Sequence, residues 1–268
     1  MFSRSYSSRF GGTGRLYGQS VLHLLQNSHV CVAGIGGVGS WSSEALIRSG
    51  VCSLTLIDPD DICVTNTNRQ IHAQANTVGR PKTAVMAERL QQINPESAIN
   101  TVDDFLNADT VYDYIDKRFD YVLDATDDFR AKAAIIACCK RQKIPVITVG
   151  AAGGKNDPGR IAVADLTRTC QDPLARKVKD YLRYRYNFSR NPKRRFAVDC
   201  VFSSQAVCYP QADGSVGQRK PAHHQSMKMD CAGGFGSALM VTGTFGFIAA
   251  ARVIDKLARR AERHSGSD

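Results

Sequence analysis

The chain has 268 residues, 43% of them apolar, and a formal net charge of +10. That length suits one large α/β domain, or a Rossmann-like core with an appended lobe, and either buries a proper core. Nine cysteines, an odd number scattered at 31, 52, 63, 138, 139, 170, 200, 208 and 231 without any C-x-x-C, suit reduced thiols better than a disulfide framework and give a Cys-based zinc site little support; reduced thiols and an N-terminus without an apolar signal region fit the cytoplasm.

In chain order, residues 16–28 read as a short amphipathic helix leading into the strand HVCVAGI, which runs into the glycine loop GIGGVG at 34–39. A buried strand ending in G-x-G-x-x-G before a helix is a phosphate cradle, because the glycines let phosphate approach the amides at the helix N-terminus. Gly34, Gly36, Gly37 and Gly39 are therefore nucleotide-binding candidates. A helix over 41–49 and the strand SLTLID follow, ending at Asp58, 19 residues after Gly39 and placed for ribose hydroxyls.

A polar loop of 22 residues, 59–80, carries Asn66, Arg69 and Gln70, and a Gly-Arg-Pro corner then opens a helix over 81–94 with Lys82 at its start. Loops this long are usually functional or disordered. The alternation continues with a strand over 98–104, a helix over 109–117, the strand DYVLDATDD, a helix over 130–142 and the strand PVITVG. This βαβ rhythm predicts a Rossmann-like, doubly wound α/β fold with a mostly parallel sheet and an additional C-terminal lobe.

The fingerprint alone does not separate NAD from ATP. No Tyr-x-x-x-Lys occurs, and the histidines at 23, 29, 72, 223, 224 and 264 fall in no catalytic context, which disfavours a dehydrogenase. Two cations beside the glycine loop, Arg69 and Lys82, suit a triphosphate instead, because its α-phosphorus is open to attack only when the surrounding charge is neutralised. Asp124, Asp127 and Asp128 add carboxylates where Mg²⁺ is wanted.

The motifs GIGGVG, D-P-D-D-I-x-x-x-N-x-x-R-Q at 58–70, G-R-P-K at 79–82 and D-A-T-D-D at 124–128 together resemble the adenylation core shared by ubiquitin-activating enzymes and their bacterial relatives in molybdopterin and thiamine biosynthesis. The resemblance covers roughly residues 9–165. It implies ATP-dependent adenylation of a carboxylate, with Asp58 on the ribose, Asn66, Arg69, Gln70 and Lys82 around the phosphates, and Asp127 on Mg²⁺. It also implies a homodimer in which an N-terminal arginine, Arg15 ahead of Arg9, reaches the partner's site. Residues 1–165 are then the adenylation core, with 1–28 as its arm.

Residues 166–268 hold a basic insert, a loop over 210–228 expected to be mobile, and a C-terminal helix packing on the same domain. Between 168 and 195 stand ten Lys/Arg and two Asp, net +8, interleaved with Tyr181, Tyr184, Tyr186 and Phe188. Phosphate contact and base stacking fit that composition, with Arg183, Arg185, Arg190, Lys193, Arg194 and Arg195 as RNA-binding candidates. The uncharged stretch 231–251 approaches the length of a membrane span, but its five glycines and its continuation into a charged helical pattern favour a buried helix.

With the GRLYG start at 14–18 and the Gly-Ser-Trp after the glycine loop, nearly the whole chain is similar to the tRNA threonylcarbamoyladenosine dehydratase family. That resemblance implies ATP activation of the threonyl carboxylate of N6-threonylcarbamoyladenosine, beside the anticodon of tRNA, and its closure into a cyclic form. ATP and Mg²⁺ are the implied cofactors, zinc is not expected, and a monovalent cation is left open. The alternatives are adenylation of a ubiquitin-like or sulphur-carrier protein, with Cys231 as thiol acceptor and a cysteine-desulfurase or other sulphur-transfer partner, and a non-catalytic nucleotide-dependent RNA-binding module.

Overall fold

The computed structural model describes residues 2–219 and 236–265. Its centre is a seven-stranded sheet built from β1 (His29–Ala33), β2 (Ser53–Ile57), β3 (Ala98–Val102), β4 (Tyr121–Asp124), β5 (Val146–Val149), β6 (Ile161–Asp165) and β7 (Asp199–Ser203), in the order β3-β2-β1-β4-β5-β7-β6. All neighbouring pairs are parallel except β6–β7, which closes the edge antiparallel. The chain winds outward from β1 to β3 in one direction and from β4 to β5 in the other, so the switch point lies between β1 and β4. In such sheets the crevice at the carboxyl ends of these two strands is the ligand site.

Helices cover both faces: α3 (Gly39–Arg48), α4 (Lys82–Ile93), α5 (Val111–Tyr114), α6 (Phe129–Gln142), α7 (Pro173–Arg185) and α8 (Leu239–Ser265). The helix expected over 109–117 shrinks to the single turn of α5. One apolar cluster joins β1, β2, α3, α4 and α8, and a second joins β4, α6, α7 and β7. The strands are near-continuously apolar because both faces are covered.

At the N-terminus the expected single helix over 16–28 is two helices, α1 (Arg4–Tyr17) and α2 (Gln19–Asn27), separated at Gly18 with φ +95°. Ser3 caps α1 by accepting the Tyr6 N–H, and Tyr6 and Phe10, one turn apart, are buried against Leu22. The Tyr6 hydroxyl donates to the Gly50 carbonyl at 2.6 Å. Three glycines inside α1 lower its intrinsic helicity; this tertiary anchorage overrides them.

From Leu239 onward the uncharged stretch belongs to α8. Val241, Phe245, Ala249, Val253 and Leu257 bury one stripe that runs on into the charged half of the helix. Small residues let α8 lie close on α3: the Ser42 hydroxyl donates to the Gly246 carbonyl at 3.1 Å, and Trp41 meets Phe247 edge-on at 5.8 Å. Among the described residues no helix is long and apolar enough to cross a membrane. Of the loop expected over 210–228, residues up to 219 are described and include a two-residue antiparallel pairing of β8 (Tyr209–Pro210) with β9 (Val216–Gly217).

Two buried polar arrangements hold the carboxyl-end loops in place. Lys132 on α6 and Asp124 at the end of β4 are both buried, with Nζ 3.2 Å from Oδ2. Thr148 on β5 donates to the same Oδ2 at 2.6 Å, while Thr126 donates to Oδ1 at 2.7 Å. The long polar loop is ordered by a small core in which its Ile62 and Ala73 pack with Val85 of α4, and buried His72 joins it to the glycine loop through Nε2 and the Ile35 carbonyl at 2.8 Å. A carbonyl only accepts, so Nε2 carries the hydrogen.

Removing one member of a buried ion pair strands the other charge, at a cost of about 3–5 kcal/mol. Lys132→Met is therefore expected to lose about that much in urea unfolding, and Lys132→Met/Asp124→Val to be more stable than the single variant; a single variant within about 1 kcal/mol of wild type would contradict this. Burial lowers the His72 pKa from 6.5 to about 4. The unfolded chain therefore takes up this proton at a higher pH than the folded one. Stability from this group is complete above pH 6.5 and falls by ~1.4 kcal/mol per unit as pH drops toward 4. Urea midpoints between pH 7 and 4.5 should fall more steeply for wild type than for His72→Gln, and parallel curves would refute the assignment.

A candidate nucleotide site at the switch point

Gly34 leaves β1 at φ +85°, and a Cβ there would stand 2.7 Å from the Ala125 backbone. One at Gly39 would stand 1.8 Å from the Gly34 carbonyl oxygen. The loop after β1 is thus folded tightly on itself and against the loop after β4, and α3 begins at Gly39. Its amides lie at the positive end of the helix dipole, a position that favours phosphate.

Asp58, at the end of β2, accepts the Ile35 N–H at 2.6 Å through Oδ2 and the Asp60 N–H at 3.0 Å through Oδ1. Burial pushes its carboxyl above the usual range, opposed by the Lys82 ammonium and by those two backbone donors. Lys82, the first residue of α4, is buried with Nζ 3.7 Å from Asp58 and 2.7 Å from the exposed carboxylate of Asp60. The structure thus brings Asp58 and Lys82 together on one wall. Asp60, standing in the same D-P-D-D motif, was the missed third member.

Arg69 and Gln70 form a second wall, against the glycine loop itself. A Cβ on Gly37 would approach the Arg69 side chain at 3.1 Å, and one on Gly36 would lie 3.8 Å from Gln70 Nε2. The Trp41 indole holds this turn by donating to the Arg69 carbonyl at 3.0 Å. Gln70 is buried, and its Oε1 has no hydrogen-bond partner among the described residues. An unpaired buried amide oxygen is costly unless something fills the site, so the pocket fits a polar ligand such as a nucleotide. Asn66 serves the loop itself: its Oδ1 accepts the Cys63 N–H at 3.0 Å within the 3₁₀ turn Val64–Asn66.

The three carboxylates after β4 divide. Asp124 is consumed by Lys132 and Thr148, and Asp128 caps α6 by accepting the Arg130 and Ala131 N–H groups at 2.8 and 2.9 Å. Asp127 is exposed and makes no hydrogen bond or ion pair among the described residues. Mg²⁺ bound with nucleotide needs only one or two carboxylates besides phosphate oxygens and water, a demand Asp127 fits. Lys132 was the residue overlooked in the sequence; a lone lysine inside the apolar run of α6, opposite a strand-end acid, was its signal.

Arg9 and Arg15 lie elsewhere. Tyr6 and Phe10 anchor α1 beside Gly50, at the amino end of β2, across the sheet from the glycine loop. Both arginines are exposed, and among the described residues neither bonds to the loop cluster. Cys231 lies outside the described residues.

In the basic insert, α7 starts at the carboxyl edge of the sheet: its cap Asp172 also accepts the Ala151 N–H, after β5, at 3.0 Å. Arg185, Arg190, Lys193, Arg194 and Arg195 are exposed. Arg183 is partly buried over the Phe196 ring at 5.5 Å and pairs with Asp180 at 3.3 Å, which makes it structural. Most of the aromatic interleaving is packing as well, since Tyr181, Tyr186 and Phe188 join the second apolar cluster.

The model of the ThiF family matches residues 10–266. The chain is 51% identical over 263 residues to the tRNA threonylcarbamoyladenosine dehydratase of Escherichia coli, covering 98% of both chains. It is 53% identical over 256 residues to the Haemophilus influenzae protein of the same name, covering 96% of this chain and 95% of that one. A crystal structure of the E. coli dehydratase in complex with ATP superposes with a TM-score of 0.88 at 48% identity, covering 98% of this chain and 99% of that one. The chain belongs to the ThiF family, and within it to the family of the tRNA threonylcarbamoyladenosine dehydratases.

Proposed function

We propose that this chain is an ATP-dependent dehydratase that adenylates the carboxylate of N6-threonylcarbamoyladenosine in tRNA and promotes its closure to the cyclic form. One observation carries the reading: the glycine loop, the Asp58–Lys82 wall and the Arg69–Gln70 wall converge at the switch point, in a chain similar along nearly its whole length to a dehydratase crystallised with ATP.

A free carboxylate is a poor acyl donor because its leaving group would be oxide. In the proposed reaction a carboxylate oxygen attacks the α-phosphorus of ATP and pyrophosphate leaves, giving a mixed anhydride. Asp58 holds the ribose hydroxyls, the loop amides and the α3 N-terminus hold the phosphates, and Lys82 and Arg69 stabilise the charge that develops on them. Mg²⁺, when bound at Asp127, supplies further neutralisation of the phosphates. The carbamoyl group of the same nucleoside then attacks the activated carbonyl and AMP departs with the former carboxylate oxygen. The nucleoside loses one water, and proximity supplies most of this second step.

The site is completed by Arg15 of a second copy in a homodimer, a reading supported by the exposed position of Arg15 across the sheet from its own loop. The exposed cations Arg185, Arg190, Lys193, Arg194 and Arg195 contact the tRNA backbone. The reaction requires no thiol, so Cys231 has no covalent role in it. As an enzyme acting on tRNA, it works in the cytoplasm.

Lys82→Ala and Asp127→Ala should each reduce ATP-dependent loss of one water from threonylcarbamoyladenosine, read by mass spectrometry of digested tRNA, by at least about 100-fold. Full activity in both variants would sink the assignment, and adenylation of a carrier protein with no change in tRNA would favour the carrier reading. Mixing inactive Arg15→Ala with inactive Lys82→Ala should restore about a quarter of wild-type activity, because half the dimers are then mixed and each holds one intact site. No recovery after subunit exchange would exclude Arg15 acting across the interface.

A further inference from the structure

Helix α7 carries two stripes. Ala175, Val178 and Leu182 face the core and are buried. The second stripe, Lys177, Asp180, Tyr181 and Tyr184, has the i, i+3, i+4, i+7 spacing that ordinarily marks a packed face, yet it is open: Tyr184 is 78% exposed. With Phe129, the first residue of α6, these four side chains line a hollow of about 290 Å³. Phe129 meets Tyr181 edge-on at 5.4 Å, and Tyr181 lies 6.4 Å from Tyr184. The cations of Arg130 and Lys177 stand 5.4 and 5.9 Å from the Phe129 ring.

The hollow has two neighbours. Phe129 is two residues from Asp127, at most about 7 Å of chain, so the hollow opens beside the nucleotide site. On its other side Lys177 and Asp180 are shared with a cavity of about 670 Å³ that also takes in Arg176 and Tyr209, within the size range of ligand clefts. A groove therefore runs from the Asp127 loop across an aromatic notch into a larger recess, to which the basic segment contributes three cations, Arg176, Lys177 and Lys179, against two acids, Asp172 and Asp180. Packing accounts for Phe129 and Tyr181, which tie α7 to α6. It does not account for a tyrosine left almost fully in solvent at the rim.

We propose that the Phe129–Tyr181–Tyr184 notch is a base-stacking subsite, holding a nucleobase that flanks the modified adenosine while Lys177 and Arg176 take the adjoining backbone phosphate. The inference rests on the tRNA-directed reading above. Single-stranded nucleic acid is held by this pairing of aromatic faces with a cationic track, and the charge of the groove selects a polyanion over an apolar partner. The substrate is thereby gripped next to the nucleotide it modifies, with the carboxylate delivered toward the Asp127 side. The exposed cations beyond Arg185 supply affinity farther along the RNA. Tyr184 acts as a positioning residue through the neighbouring base.

The test uses the full chain and synthetic anticodon stem-loops carrying fluorescent 2-aminopurine immediately 5′ or 3′ of the target adenosine. Binding of wild type should quench one of the two probes. Tyr184→Ala should abolish the quench and weaken binding on the order of tenfold, with an unchanged slope of log K against log salt, unchanged ATP affinity and unchanged Tm. Tyr184→Phe should retain the quench, and Lys177→Ala should reduce the salt slope by about one. Neither probe responding to wild type, or Tyr184→Ala quenching and binding like wild type, would overturn the subsite. The stacking measurement does not depend on turnover. Loss of the enzymatic reading would appear separately, as wild type that binds the stem-loop but removes no water from modified tRNA.

Discussion

The backbone of the loop after β1 rests against the backbone of the loop after β4, and the candidate site depends on that contact. A side chain at Gly34 would stand 2.7 Å from Ala125, and one at Gly39 would collide with the Gly34 carbonyl. With hydrogens there instead, the two loops close the crevice at the switch point and the N-terminus of α3 points into it. The Ile35 N–H then lies where Asp58 reaches it, and the Ile35 carbonyl lies where His72 reaches it. The ends of β1, β2 and β4 and the long polar loop are thereby fixed to one short piece of backbone, which gives the side chains of the candidate site a common frame.

Charge around this frame is graded by burial, and burial decides what each charge does. The innermost pair, Lys132 with Asp124, is wholly satisfied by its own members and the threonines at 126 and 148; it orients the β4 loop and has no capacity left for a ligand. One layer out, Lys82 sits between buried Asp58 and exposed Asp60, so its ammonium is held in place while one side of the arrangement meets solvent. Outermost, Asp127 stands in water. Buried charges cost too much to leave unpaired, so the innermost pair serves the fold, while Lys82, beside the exposed Asp60 carboxylate, and exposed Asp127 border the candidate site.

The C-terminal part of the chain extends the same logic. β7 enters the sheet between β5 and β6, α7 starts at the carboxyl edge beside Ala151, and α8 covers α3. The basic segment is thus mounted on the same sheet, at the edge where the candidate site opens. Its residues split by direction: Leu182 and Phe196 make core, Arg183 is occupied by Asp180 and Phe196, and Tyr184 with the later arginines faces outward. Composition alone gave Arg183, Tyr184 and the later arginines one meaning.

By itself the sequence determined what depends on local chemistry. Alternating apolar strands and helices specified the doubly wound sheet, and the four ordered motifs pointed to the candidate site at the ends of β1, β2 and β4 and the start of α4, because strand burial, glycine turns and strand-end acids are written in short windows. Helix α1 was not legible, since its stability comes from Tyr6 and Phe10 meeting Leu22 and Gly50 rather than from propensity. The same holds within D-A-T-D-D, where three identical side chains in five residues become an ion-pair partner, an exposed carboxylate and a helix cap. Only the tertiary structure decided those roles, because partner and burial are set by Lys132, Thr148 and the start of α6, and residues distant in sequence become neighbours only when the sheet has formed.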